Sequence, residues 1–126
     1  MRALTIIASV IIVLFVGSIL TSNYLSDSSS SINNDLQMLD QKVRIGKWNE
    51  AREQVSVIKN KWDGIKDGWA MLLDHQEIDN IDLSFSRMEE YVKVSQAADS
   101  LAEISSLKLL FEHIPEKESF SLKNIL

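Results

Sequence analysis

"KWNEAREQVSVIKNKWDGIKDGW", residues 47–69, contains all three tryptophans of the chain, Trp48, Trp62 and Trp69, spaced 14 and 7 residues apart. Apolar residues recur through this stretch at alternating steps of three and four, which is the period of one face of an α-helix. Indoles in such a stripe line the seam between packed helices more often than they form an exposed surface for a ligand. The stretch therefore predicts a core helix that begins near Lys47, with Trp69, beside the following turn, as the indole most open to solvent.

The same helical period continues through the rest of the chain after residue 31, and strand signals do not occur there. A first bundle helix is expected over residues 31–44, stopped by Gly46, and a third over residues 77–94. A fourth is expected to end at Pro115, because proline cannot extend a helix from inside. The sequence predicts an all-α fold: an N-terminal transmembrane helix followed by a small bundle of about four helices, arranged as two antiparallel helical hairpins.

Charges beside the apolar stripes predict that the second and third helices form a hairpin, because one continuous rod would leave these charges unmatched. If the chain turns within "LDHQE", residues 73–77, then Lys66 faces Asp82 and Lys59 faces Glu89. Antiparallel helices pair like flanking positions in this way. An earlier break at the two glycines of the second helix is the main alternative. The predicted seam of the hairpin consists of Trp48, Val55, Ile58, Trp62, Ile65, Trp69, Ile78, Phe85, Met88 and Val92.

The N-terminal residues 3–20, "ALTIIASVIIVLFVGSIL", carry no charge and would span roughly 27 Å as a helix, enough for a bilayer core. A cleavable signal peptide is the alternative, although its apolar region is typically only ~7–15 residues long. Arg2 precedes the run and no Lys or Arg follows it before Lys42, so the N-terminus is expected in the cytoplasm of a single-pass cell-membrane protein. The expected parts are a transmembrane anchor over residues 1–22, a flexible Ser-rich linker over residues 23–31 and an extracytoplasmic helical domain over residues 32–126.

The composition excludes several classes of function. The formal net charge is −5, and an acidic chain is poorly suited to bind nucleic acid or to adhere electrostatically to an anionic membrane surface. Without cysteine the domain has neither disulfides nor a thiol nucleophile, and the sequence contains no G-x-S-x-G motif and no Gly-rich phosphate loop. We therefore expect a protein that is not an enzyme and that takes no cofactor.

The segment around the predicted turn contains the weak candidates for a metal site, Asp74, His75, Glu77 and Asp79. Hard cations do take several carboxylates, but the spacing matches neither H-E-x-x-H nor a calcium-binding loop. Acidic residues at the start of a helix also stabilise its dipole and cap its end. The sequence therefore favours a helix start and predicts no metal site.

Landmarks distributed along the whole chain resemble the domain-of-unknown-function family 4363, a family of short, N-terminally anchored helical proteins of spore-forming Gram-positive bacteria. The resemblance implies neither a catalytic residue nor a cofactor, and it implies a membrane-protein partner. The landmarks are Trp48 and Trp62 in the seam, "DHQEID" at residues 74–79, Arg87 and Tyr91 in the third helix, and the closing "SLKNIL" at residues 121–126.

We expect a non-enzymatic scaffold or accessory subunit of a membrane protein complex, anchored in the lipid bilayer through residues 3–20. Two alternatives stay open at this point. One is an extracytoplasmic small-ligand or cell-wall binding module that uses Trp69 and the acidic turn. The other is a bitopic coiled-coil component of an assembly complex, with the second and third helices continuous. The apolar tail, residues 116–126, is expected to fold back on the bundle.

Overall fold

Four helices account for nearly all of the chain in the computed structural model, which describes residues 1–125 and the side chains of residues 1–118. No strand occurs within these residues, so the prediction of an all-α protein with four helices is confirmed. The helices are α1 (Arg2–Arg44), α2 (Trp48–Leu72), α3 (His75–Lys93) and α4 (Ala97–Ile125).

The three connections are short and reverse the chain each time. Gly46 lies in the turn between α1 and α2 with a φ of 74°, a left-handed conformation that glycine adopts without steric cost. The turn between α2 and α3 falls at Leu73 and Asp74, and the Asp74 side chain caps α3 by accepting a hydrogen bond from the Glu77 N–H. The predicted hairpin is therefore confirmed, and the alternative of one continuous rod is wrong.

The helices close into a bundle because α1 packs against α2 and α4, and α3 packs against the same two helices. Each neighbour in the bundle runs antiparallel to the next, which is the arrangement that short connections favour. One apolar core fills the centre. Of the predicted seam residues, eight are buried in this core, and Trp48 and Ile65 pack against it while partly exposed.

Trp69 is fully buried, so the prediction that it would be the most open indole is wrong. The prediction considered only the turn that follows α2. In the folded chain Phe111 of α4 covers the ring, and Ser28 of α1 accepts a hydrogen bond from its Nε1–H at 2.9 Å. Trp48, at the other end of α2, is the partly exposed tryptophan.

The Ser-rich segment is part of α1, so the predicted flexible linker over residues 23–31 is wrong. The apolar stripe of α1 begins with Leu25, seven residues before Ile32, and both side chains lie in the core. Serine hydroxyls in a helix can also bond the preceding turn, as Ser28 does to the carbonyl of Tyr24 at 2.7 Å. Burial of one apolar face thus keeps helical a segment whose composition alone is typical of a linker.

Pro115 lies inside α4, so the predicted helix end at this residue is also wrong. A proline lacks the N–H that would bond the carbonyl four residues earlier, here that of Phe111. In this bundle the Ser29 hydroxyl of α1 donates to that same carbonyl. The helix therefore continues with its freed backbone acceptor satisfied by a neighbouring helix.

Beyond Pro115 the helix continues to Ile125. Docking of the tail, residues 116–126, depends largely on side chains from residue 119 onward, which lie outside the described residues.

The N-terminal part of α1 is apolar but lies outside the core of the bundle. The most apolar 18 residues of α1 have a mean hydropathy of 2.8, and none of them is buried. Of the described helices, α1 alone is long and apolar enough to cross a membrane.

Candidate functional site

The aromatic centre of the bundle consists of Trp62, Trp69, Phe85 and Phe111, whose rings contact one another. The two indoles lie 5.6 Å apart at 83°, and Trp62 also stacks on Phe85 at 6.0 Å. Edge-to-face and offset contacts of this kind add to the stabilisation from area burial alone. Each of these four side chains is at most 1% exposed, so the cluster offers no surface for a ligand.

Both buried indoles have a partner for their polar edge. The Trp62 Nε1–H donates to Asp82 Oδ1 on α3 at 2.8 Å, and the Trp69 Nε1–H donates to Ser28 on α1. A buried N–H without an acceptor would cost about 1–3 kcal/mol, so these bonds permit full burial of the indoles. Through them and Phe111, the aromatic centre contacts all four helices.

One of the two predicted charge pairs of the hairpin forms. The Lys66 ammonium pairs with the Asp82 carboxylate. Burial acts to raise the pKa of Asp82, but hydrogen bonds from Lys66 and Trp62 outweigh it, so the pKa is lowered. The pKa of Lys66 is raised, mainly by its hydrogen bond to Asp82.

The second predicted pair, Lys59 with Glu89, does not form an ion pair within 4.0 Å. The positive charge of Lys59 instead helps to lower the pKa of the Asp82 carboxyl. Glu89 is exposed, and an exposed pair contributes too little to hold two long side chains together. The register that Lys66 and Asp82 define is nevertheless the predicted one.

The pair of Lys61 and Asp35 between α1 and α2 was not predicted. Lys61 Nζ also donates to the Ser31 hydroxyl at 2.8 Å. Predicting this pair from sequence would require knowing which face of α1 packs against α2.

Two of the four weak metal candidates make other contacts, and the other two are exposed. Asp74 caps α3, and Glu77 accepts a hydrogen bond from Lys117 Nζ on α4 at 3.1 Å. His75 and Asp79 are exposed. Within the described part of the chain, no three His, Cys, Asp or Glu side chains are grouped closely enough to hold a metal ion.

The base of the bundle, defined as residues 71–77 and 117–118, contains these acidic groups and the connection between α2 and α3. Burial raises the pKa of the Glu118 carboxyl, and the neighbouring charge of Glu77 raises it further, against the opposing effect of Lys117. The pKa of Lys117 is raised, first by its hydrogen bond to Glu77. The base is thus a cluster of interacting charges in which one carboxyl is held in an unfavourable environment.

A groove of about 450 Å³ runs between α3 and α4. Within it, Arg87 Nε donates to Glu103 Oε1 at 2.7 Å, and the Ser84 hydroxyl donates to Glu103 Oε2 at 2.8 Å. The arginine, whose side chain is exposed, is thereby paired with a carboxylate of the neighbouring helix. The sequence carried no local signal for this groove, because it arises from the pairing of α3 with α4. The groove is lined by Asn80, Ser84, Arg87, Ser106, Leu109, Leu110 and His113.

Comparison with protein families gives a match over most of the chain. Neither the curated proteins nor the solved structures include a match to this chain. Residues 19–125 match the family described as Domain of unknown function (DUF4363). The matched region begins at the end of the apolar segment of α1 and includes the whole bundle through α4. The resemblance inferred from the sequence landmarks is confirmed: the chain belongs to the DUF4363 family.

Proposed function

We propose that this protein is a non-enzymatic, membrane-anchored scaffold or accessory subunit of a membrane protein complex. The observation that carries the proposal is that one uninterrupted helix, α1, supplies both an apolar segment of which no residue is buried and one side of the bundle core. Burying a Leu, Ile, Val or Phe side chain is worth about 1.5–3 kcal/mol, so a run of such residues favours a lipid environment over water.

The distribution of charge supports an orientation for the anchor. Arg2 precedes the apolar segment, and the next basic residue is Lys42. By the positive-inside rule, the N-terminus lies in the cytoplasm and the bundle lies outside the cell membrane. The resemblance of the sequence to the DUF4363 family also implies an N-terminal anchor and a membrane-protein partner, which supports the same proposal.

The indoles of the core and the arginine of the α3–α4 groove have their polar partners within the bundle, as in a domain whose interior serves its own stability. The buried indoles donate to partners within the bundle, and the Arg87 charge in the α3–α4 groove is paired with Glu103. The alternative of a ligand-binding module is weakened, because Trp69, the indole that it would use, is buried. Held by one continuous helix, the bundle is suited to present its outer faces to another membrane protein.

Membrane extraction tests the anchor. The full chain should remain in the membrane fraction after washing at alkaline pH and should keep its full length. A matched variant, Val10→Asp with Leu14→Asp, should be released, because an aspartate at the centre of a spanning helix costs about 2.5–3.5 kcal/mol on insertion. A soluble product about twenty residues shorter would contradict the anchor and indicate a cleaved signal peptide.

Thiol labelling tests the orientation, because the chain has no native cysteine. Ile45→Cys places a thiol at the far turn of the bundle, where Ile45 is 65% exposed. A maleimide that cannot cross membranes should label it on intact cells, and Ala3→Cys, at the first residue of the apolar segment, should be labelled only after lysis with detergent. Labelling of the two sites in the reverse order would contradict the proposed orientation.

Cross-linking in native membranes tests the partner. Photoreactive residues at Val57 on α2 and at Leu83 on α3 sample two exposed positions of the bundle. A partner subunit should give one discrete cross-linked product from one of these faces, containing a second membrane protein. Diffuse products of equal yield from both positions would count against a scaffold or accessory role.

A further inference from the structure

We propose that the base of the bundle lies in the interface of the bilayer that α1 spans, with Met71 inserted among the lipids as a second membrane contact. This inference rests on the proposed anchoring of α1. It adds a specific position for the bundle, which a flexible linker would have left free to drift from the membrane.

The level of the base relative to the apolar segment follows from contacts between α1 and α2. A Cβ on Gly68 would lie 2.5 Å from the Tyr24 hydroxyl, so these two positions face each other. Because α2 runs antiparallel to α1, Leu72 lies about 6 Å nearer the N-terminal end of α1 than Gly68 does. This brings the end of α2 level with Leu20, the last residue of the apolar stretch.

Helix α4 reaches the same level independently. It runs antiparallel to α1, because Phe111 faces Ser29 whereas Lys108 faces Asn33. Its Lys117 contacts Glu77 just after the turn between α2 and α3. The backbone of α4 remains helical to Ile125, about 12 Å further in the same direction. When α1 is inserted in the bilayer up to the end of its apolar segment, the end of α2 and the last turns of α4 therefore both meet the lipid.

The side chain at this level fits a lipid environment. Met71 is 87% exposed, and of the described large apolar side chains only Met1 is more exposed. A flexible, polarisable methionine packs readily into irregular surroundings such as the boundary between headgroups and acyl chains. Tyr24, 40% exposed beside Gly68, adds an amphipathic ring of the kind that is enriched at membrane interfaces.

The charge of the base identifies the kind of contact. Asp74, Glu77 and Glu118 outnumber the single Lys117 at this end, so attraction to anionic headgroups does not hold the base in place. The contact is apolar and follows from the continuity of α1. It should therefore form equally well on uncharged phosphatidylcholine membranes.

Spin labels on single cysteines test the proposal in the full chain, reconstituted in phosphatidylcholine vesicles. Three variants are compared: Met71→Cys at the base, Ile45→Cys at the far turn as an aqueous reference, and Leu14→Cys in the apolar segment as a lipid reference. All three positions are highly exposed, so the labels leave the core intact. The measured quantity is the ratio of collisions with oxygen, which concentrates in lipid, to collisions with a water-soluble nickel complex.

We expect the label at position 71 to give a ratio well above that at position 45 and nearer to that at position 14. A ratio at 71 equal to that at 45, with the label at 14 in lipid, would overturn the base contact and leave the anchor standing. An aqueous ratio at 14 would overturn the anchor itself. Low collision rates with both reagents at 71 would show a protein covering the base, and immersion only with added phosphatidylglycerol would show an electrostatic contact; either result overturns the proposal.

Discussion

Replacing Ser29 by alanine should destabilise the bundle through a carbonyl on another helix. Pro115 leaves the Phe111 carbonyl without its donor in α4, and the Ser29 hydroxyl supplies the missing hydrogen bond from α1. Ser29 is 4% exposed and Phe111 is fully buried, so water does not readily replace the hydroxyl. A buried acceptor left unsatisfied costs about 1–3 kcal/mol, and we expect a loss of stability in that range for Ser29→Ala.

The same reasoning predicts that the loss depends on Pro115. In a Pro115→Ala background, the backbone N–H that the substitution restores can donate to the Phe111 carbonyl, so removing the Ser29 hydroxyl should cost clearly less. The coupling between the two substitutions should be about 1–2 kcal/mol, well above the ~0.3–0.5 kcal/mol within which independent sites add. For a domain stable by about 5–15 kcal/mol this is a measurable fraction.

Denaturant unfolding of the full chain in detergent micelles, followed by far-UV circular dichroism, measures the four stabilities of this cycle. Ser100→Ala is the matched control, because Ser100 is also fully buried but its hydroxyl has no hydrogen-bond partner. Its removal should cost little or even stabilise the protein. Equal losses for Ser29→Ala with proline or alanine at position 115, or an equal loss in the Ser100 control, would refute the reasoning.

Three other predictions concern helix α2 and the charges of the base. Gly64→Ala should stabilise the bundle by up to ~1 kcal/mol, because nothing lies near the added methyl group, whereas Gly68→Ala should gain less because its methyl group meets a tyrosine hydroxyl of α1; equal gains in thermal melts would contradict this close approach. A double-mutant cycle of Lys66→Met and Asp82→Asn should give a coupling of up to ~1 kcal/mol that weakens in high salt. Since the folded-state pKa of Asp82 is lowered, its contribution should be present above about pH 4 and be lost as the pH falls through the folded value; stability that stays flat on acidification would argue against it. Glu118→Gln should stabilise at neutral pH, because the raised pKa shows that the folded protein disfavours the charged carboxyl; the gain should vanish in acid, where the carboxyl is neutral in both states, and an equal gain at both pH values would point to another cause.

The parts of the fold that could be predicted depend on patterns within one element or one hairpin. The unbroken three-four stripe from Trp48 to Leu72 identifies α2, because only an α-helix places these residues on one face. The pair of Lys66 and Asp82 fixes the register of the hairpin, because a short turn leaves few ways to align two stripes. Contacts with the other helices do not change what these local patterns predict.

The parts that could not be predicted depend on contacts between elements far apart in sequence. Pro115 ends a helix when only its own segment is considered, and the donor that permits the helix to continue comes from Ser29, whose hydroxyl bonds a carbonyl 82 residues away. The burial of Trp69 could not be predicted for the same reason, because the helices that cover this indole, α1 and α4, are far from it in sequence. For the Ser-rich segment a signal was present: Leu25 precedes Ile32 by seven residues and continues the stripe of α1 toward its apolar N-terminal segment.

The perpendicular arrangement of Trp62 and Trp69 has an optical consequence. Two indoles with ring centroids 5.6 Å apart at 83° are close enough for their excited states to couple, and their chiral orientation is fixed by packing against α1, α3 and α4. The near-ultraviolet circular dichroism of the protein should therefore be dominated by this pair and should disappear when side-chain packing is lost, even while the helices persist. Trp48, partly exposed at the other end of α2, should contribute emission at longer wavelength. The chain thus contains an intrinsic spectroscopic reporter at the point where its four helices meet.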